Sequence, residues 1–147
     1  MASLGIFLFL CLLSAAQLSR SQQPGDVDLI KAEHVQPLGG WSSVNSQNPE
    51  VHKAANKAVE EFNSRSKTKK LFQLVEVTSA TSQVMNIILY KINATIGKTN
   101  CLKSEAIDKR SCVLRKKYLA CEFEVALDPR NNTFEVISSV CRKQPQK

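Results

Sequence analysis

The stretch Asn48-Pro49-Glu50-Val51-His52-Lys53-Ala54-Ala55-Asn56-Lys57-Ala58-Val59-Glu60-Glu61-Phe62-Asn63-Ser64 decides the fold. Asn48 suits a helix cap, Pro49 the first helical position, and Glu50 the positive end of the helix dipole. Val51, Ala54, Ala55, Ala58, Val59 and Phe62 then recur at the spacing of one buried helical stripe. Lys53, Lys57, Glu60 and Glu61 fall off that stripe, so the pattern predicts one long amphipathic helix ending near Asn63-Ser64.

Downstream the period changes from helical to alternating. After the basic link Arg65–Lys70, Leu71–Val77 reads as a strand. Gln83–Ile96 reads as a second, with Val84, Ile88, Tyr90, Ile92, Ala94 and Ile96 on one parity. Tyr118–Leu127 alternates Leu119, Cys121, Phe123, Val125 and Leu127 against Glu122 and Glu124, and Phe134–Val140 is a last strand. Asp128-Pro129-Arg130-Asn131-Asn132 has the composition of a hairpin loop. One helix against one antiparallel sheet buries both apolar faces, which predicts an α+β fold.

Upstream, Gln17–Leu38 is polar and broken by Pro24-Gly25 and Pro37, and it reads as a flexible N-terminal extension ended by Gly39-Gly40-Trp41. Before it, Ile6–Leu13 is an apolar run followed by Ser14-Ala15-Ala16. That is the pattern of a secretory signal with cleavage expected after Ala16, and it is far shorter than the roughly 20 apolar residues of a membrane span. The expected organisation is a signal over 1–16, an extension over 17–38 and a single domain over 39–147, exported to the extracellular space.

The chain has 147 residues, 43% of them hydrophobic and 22% charged, with a net charge of +7. That suits one globular domain. Two histidines cannot build a three-histidine metal site, and none of the five glycines falls in a phosphate-cradling motif. No cofactor, no metal and no enzyme activity are expected. Losing the signal removes Cys11 and leaves Cys101, Cys112, Cys121 and Cys141, an even set that reads as two disulfides in an exported chain. Three connectivities are open on the sequence alone. With every mature cysteine in a bridge, no cysteine nucleophile is left.

The order of signal, Gly39-Gly40, single helix ending Glu61-Phe62-Asn63, strands, and four C-terminal cysteines spaced 11, 9 and 20 resembles the secreted (type 2) cystatins, from Leu38 to Cys141. The Gly97–Cys101 segment fits as well. The resemblance implies a cystatin-like sheet of four to five strands wrapped on the helix, with bridges Cys101–Cys112 and Cys121–Cys141. It also implies reversible, tight-binding inhibition of papain-like cysteine peptidases of the cathepsin type. The family inserts a three-part wedge into the active-site cleft, and a preformed apolar wedge loses little entropy on binding.

Each part of the wedge maps to residues here. Gly39 matches the N-terminal glycine, with Pro37 and Leu38 before it offering side chains to the cleft. Gln83-Val84-Met85-Asn86-Ile87 matches the first hairpin loop of pattern QxVxG, with Met85 for the valine and Ile87 for the glycine. A β-branched residue does not readily take a positive φ, so Asn86 is expected to supply any such conformation. Pro129-Arg130 matches the Pro-Trp of the second loop, so its aromatic anchor is gone and the tip is charged. The lone tryptophan, Trp41, stands beside the glycine pair instead. Some cystatins also inhibit legumain-type peptidases through an asparagine after the helix. Ser66-Lys67-Thr68 lacks it, so that activity is not expected.

Two altered loops give weight to an alternative: a non-inhibitory cystatin-fold protein for host defence or cationic binding. Asn93-Ala94-Thr95 and Asn131-Asn132-Thr133 are glycosylation sequons, the latter beside the second loop. Arg65–Lys70 and Lys109–Lys117 are basic clusters. The plain reading is a solvated basic face, and polyanion contact is the further partner it suggests. No nucleic-acid motif accompanies them.

Overall fold

The computed structural model describes residues 39–105 and 108–144. The signal, the extension, Pro37 and Leu38 lie outside the described residues. Strand β1 (Trp41–Val44) leads into helix α1 (Pro49–Arg65), and β2 (Lys70–Val84), β3 (Ile88–Leu102), β4 (Leu114–Asp128) and β5 (Thr133–Lys143) follow. The strands form one antiparallel sheet in the order β1-β2-β3-β4-β5.

The helix starts where its cap places it, with the Asn48 side chain accepting a hydrogen bond from the Glu50 amide at 2.9 Å. Val51, Ala54, Ala55, Ala58 and Val59 are buried. Three alanines at the centre of that stripe let the backbone lie close to the sheet, which supplies the bulk: Ile92, Ile96, Phe123 and Val125 are at most 2% exposed. Phe62 is half-buried and meets Phe72 edge-on, with ring centroids 5.4 Å apart.

Two polar residues fix the far end of the helix. Asn63 is buried, and its amide donates to the Phe72 carbonyl at 2.8 Å while its oxygen accepts from the Phe72 amide at 2.9 Å. It therefore pairs with β2 as a neighbouring strand would. Lys103 donates to the Asn63 carbonyl, to the Ser66 carbonyl at 2.9 Å and to the Ser66 hydroxyl at 2.8 Å. A cation there answers the unpaired carbonyls at the negative end of the helix dipole.

The sheet has five strands, and its boundaries depart from the alternation. β1 was hidden in a segment too short and polar to show a period. β2 runs on to Val84, well past Val77, through the polar stretch Thr78–Ser82; pairing with both β1 and β3 carries it where side-chain pattern does not. Register shifts along β2 break the alternation that a strict period of two requires. The second strand accordingly starts at Ile88, and Gln83-Val84 closes β2. Val84 is therefore 45% exposed and not on the buried face with Tyr90, Ile92, Ala94 and Ile96. β4 starts at Leu114, four residues before the alternation becomes clean.

Disulfides join Cys101 to Cys112 and Cys121 to Cys141. The second spans directly opposed residues of β4 and β5.

Candidate functional site

Val84 pairs with Ile88, Ile88 with Leu127, and Asp128 with Thr133. The β2–β3 and β4–β5 turns therefore lie at the same end of the sheet. Trp41 pairs with Gln83, which brings the start of β1 to that end too. The Gln83 side-chain amide donates to the Gly39 carbonyl at 2.6 Å. Gly39 has φ +88°, and a Cβ there would meet nothing, so it is the backbone conformation that calls for glycine. Sequence reasoning treated Gly39 and Gln83 as separate parts; one hydrogen bond ties them together.

The first tip is Met85-Asn86-Ile87, closed by the Met85 amide donating to the Ile87 carbonyl at 3.0 Å. Met85 is 52% exposed, and Val84 beside it stands free. The expected positive φ at Asn86 is absent: among the described residues only Gly39 and Asn132 have one. A turn built wholly at negative φ admits the β-branched Ile87, which explains how the loop dispenses with glycine. The surface offered is uncharged, with Val84 and Met85 as its exposed apolar part and Asn86 exposed beside them.

The second tip, Pro129–Asn132, is different chemistry. Arg130 donates from Nε to one oxygen of Asp128 at 3.0 Å and from Nη2 to the other at 2.9 Å, and its backbone amide adds a third bond at 3.0 Å. The Arg130 side-chain hydrogen bond is the main cause holding the Asp128 carboxyl below its usual range, and the same pairing pushes the guanidinium up. Arg130 is therefore turned back on its own loop as a closed ion pair. Asn132 at φ 54° completes the turn. The Asn131 side-chain oxygen Oδ1 accepts from the Thr133 hydroxyl at 2.6 Å, and Asn131 is exposed. The other sequon residue, Asn93, is exposed on β3 with its amide donating to the Ser79 hydroxyl at 2.9 Å.

Trp41 has no part in the wedge that the family resemblance implies. It is 41% exposed, directly opposite Gly39's partner Gln83 in the ladder, with Lys91 Nζ 4.3 Å from the ring centroid. An indole therefore stands near the first tip, although the second has none. The signal that finds it is strand pairing, which composition does not reveal. The basic stretches Arg65–Lys70 and Lys109–Lys117 lie toward the opposite end of the sheet. Among the described residues no group of three or more His, Cys, Asp or Glu side chains is placed to hold a metal ion. Among the same residues no helix is long and apolar enough to cross a membrane.

The sequence profile of the cystatin domain matches residues 39–130, from the N-terminal glycine to the second tip. Cystatin-F of Mus musculus is 32% identical over 147 residues, covering 95% of this chain and 99% of that protein. Cystatin-C of Bos taurus is 31% identical over 110 residues, covering 71% of this chain and 74% of that protein. The crystal structure of dimeric human cystatin F superposes with a TM-score of 0.68 at 25% identity, covering 79% of this chain and 96% of that one. A profile match from Gly39 to Arg130, and a relative aligned along nearly the whole chain, show that the protein belongs to the cystatin family.

Proposed function

We propose that the protein is a secreted, reversible inhibitor of papain-like cysteine peptidases of the cathepsin type, acting by wedge insertion. Cystatin family members are protease inhibitors and not enzymes. The observation that carries the finer reading is the bond from Gln83 to the Gly39 carbonyl. It makes the N-terminal glycine and the first hairpin one preorganised unit, so ordering costs are met before binding. Met85 and Val84 then supply apolar, adaptable contact area at the tip. Leu38 would follow this unit into the cleft. Pro129 and Arg130 would form the weaker third contact.

The organisation that goes with this reading is a signal over 1–16, an extension over 17–38 and the inhibitory domain over 39–147. The sequon at Asn131 would take a glycan beside the second tip, and Asn93 is a second candidate. Legumain-type peptidases are not proposed as targets.

Titration of the oxidised mature protein against papain and cathepsins L, B and S tests the reading. Stoichiometric, reversible loss of activity is expected, and removal of residues before Trp41 should weaken it strongly. No inhibition at micromolar protein overturns the proposal and leaves the non-inhibitory alternative.

A further inference from the structure

The β3–β4 ladder breaks at one place. Gly97 pairs with Tyr118 and Thr99 with Leu114, so two steps along β3 face four along β4. Arg115, Lys116 and Lys117 are carried in the resulting bulge, and all three are exposed. The residues that bracket the bulge converge. Ile96 points into the core, so Gly97 faces the other side of the sheet. A Cβ at Gly97 would stand 2.6 Å from Leu114 Cδ2, 3.1 Å from Val75 Cγ2 and 3.2 Å from Tyr118 Cε1. Three side chains from two strands thus close over the glycine. They remain 39%, 42% and 36% exposed, and Val113 next to them is 62% exposed.

Two features need one explanation: three consecutive cations pushed out of the ladder, and an apolar knob left open beside them. A soluble polyanion would use the cations and leave the aliphatic residues in water. A bilayer bearing acidic headgroups uses both, because cations pair with the headgroups while Val, Leu and Tyr enter the interfacial layer. We propose that this patch docks the protein on anionic lipid bilayers. Gly97 is about 30 Å along β3 from the first tip at the rise of a strand. A peptidase held at the tips would therefore not compete with the membrane for the same surface.

Co-sedimentation of the secreted chain with vesicles tests this, comparing phosphatidylcholine alone with phosphatidylcholine mixed with phosphatidylserine. Binding to the mixed vesicles only is expected. R115Q/K117Q should weaken it about 25-fold, at roughly fivefold per cation near an anionic surface. L114S/Y118S should weaken it roughly tenfold, and V113S, which alters only an exposed side chain, roughly threefold. Equal binding to neutral vesicles overturns the proposal. Unchanged binding of both apolar variants also overturns it, because charge alone would then be responsible. Capture on immobilised heparin without vesicle binding overturns it too, and makes the bulge a polyanion site. Peptidase inhibition by these variants should equal that of the parent, so a failure here is separable from a failure of the inhibitor reading.

Discussion

The two hairpins end side by side, yet they are held by different means. The β2–β3 hairpin lies inside the sheet, with β1 on one side and β4 on the other. Its core side chains Phe72, Val77, Ile92 and Ile96 are buried against the helix. In the β4–β5 hairpin, β5 pairs only with β4 and is mostly exposed, reaching the core through half-buried Phe134, Val136 and Cys141. The tips differ as well, one uncharged with Val84 and Met85 exposed, the other a closed ion pair. A central hairpin takes its rigidity from packing and can spend its tip on apolar contact. The edge strand β5 has little packing of its own: the Cys121–Cys141 bond ties it to β4, and the Asp128–Arg130 clamp shapes the tip.

The largest effect that would break this contrast is loss of the cross-link. C121S/C141S should lower stability by about 3 kcal/mol, from loop closure in the unfolded chain. Urea denaturation measures it, and hydrogen exchange should show the loss concentrated in β5. C101S/C112S closes a shorter loop, 11 residues against 20, and should cost about 0.5 kcal/mol less. Equal protection of β3 and β5 after loss of the Cys121–Cys141 bond would remove the distinction. At the tips, M85E places a charge where the first hairpin should be desolvated. Inhibition of papain should fall about 100-fold, with stability changed by less than about 0.5 kcal/mol because Met85 is already half in water. An unchanged inhibition constant takes the first tip out of the contact. R130W is a smaller change in the opposite direction. It replaces the clamp by an aromatic anchor and should tighten inhibition roughly tenfold. Weaker inhibition would mean that the ion pair itself makes the contact.

How far the sequence could be read follows the same division. The helix was legible from Asn48 to Phe62 because a single periodic face carries all of its burial. The clean half of β4 was legible because each inward residue from Leu119 to Leu127 faces the core. The course of β2 beyond Val77 was not, because the polar Thr78–Ser82 stretch is held by backbone pairing, with β3 from Ser79 and with β1 from Ala80, and leaves no side-chain period. Asn63 and Lys103 were missed for a related reason: their bonds are to backbone groups distant in sequence. The tip residues were found by resemblance, but their conformations depended on hydrogen bonds that spacing cannot supply. Asn86 drew the positive φ in expectation, and the turn formed without it. Arg130 read as an exposed charge, and two residues away its partner had already taken it.

The smallest expected effect bears on that clamp. The Asp128 carboxyl is held below its ordinary range by the Arg130 side chain, by the Arg130 amide, and by the guanidinium charge. A carboxyl lowered in the folded state favours folding above its unfolded value near 3.8, and that contribution is lost as pH falls through the lowered value. The second tip should therefore keep its charge state from neutrality down to about pH 4.5. Over that window D128N and the parent should show parallel pH profiles of inhibition, separated by less than about threefold, since an exposed pair contributes little. A carbon-13 titration of the Asp128 carboxyl checks the cause directly. Its midpoint should lie below the ordinary carboxylate value in the parent and return toward it in R130W. A midpoint that stays low in R130W would assign the shift to the backbone amide alone. The second tip would then be shaped by its turn, as the first is, and the contrast between the hairpins would rest on the disulfide.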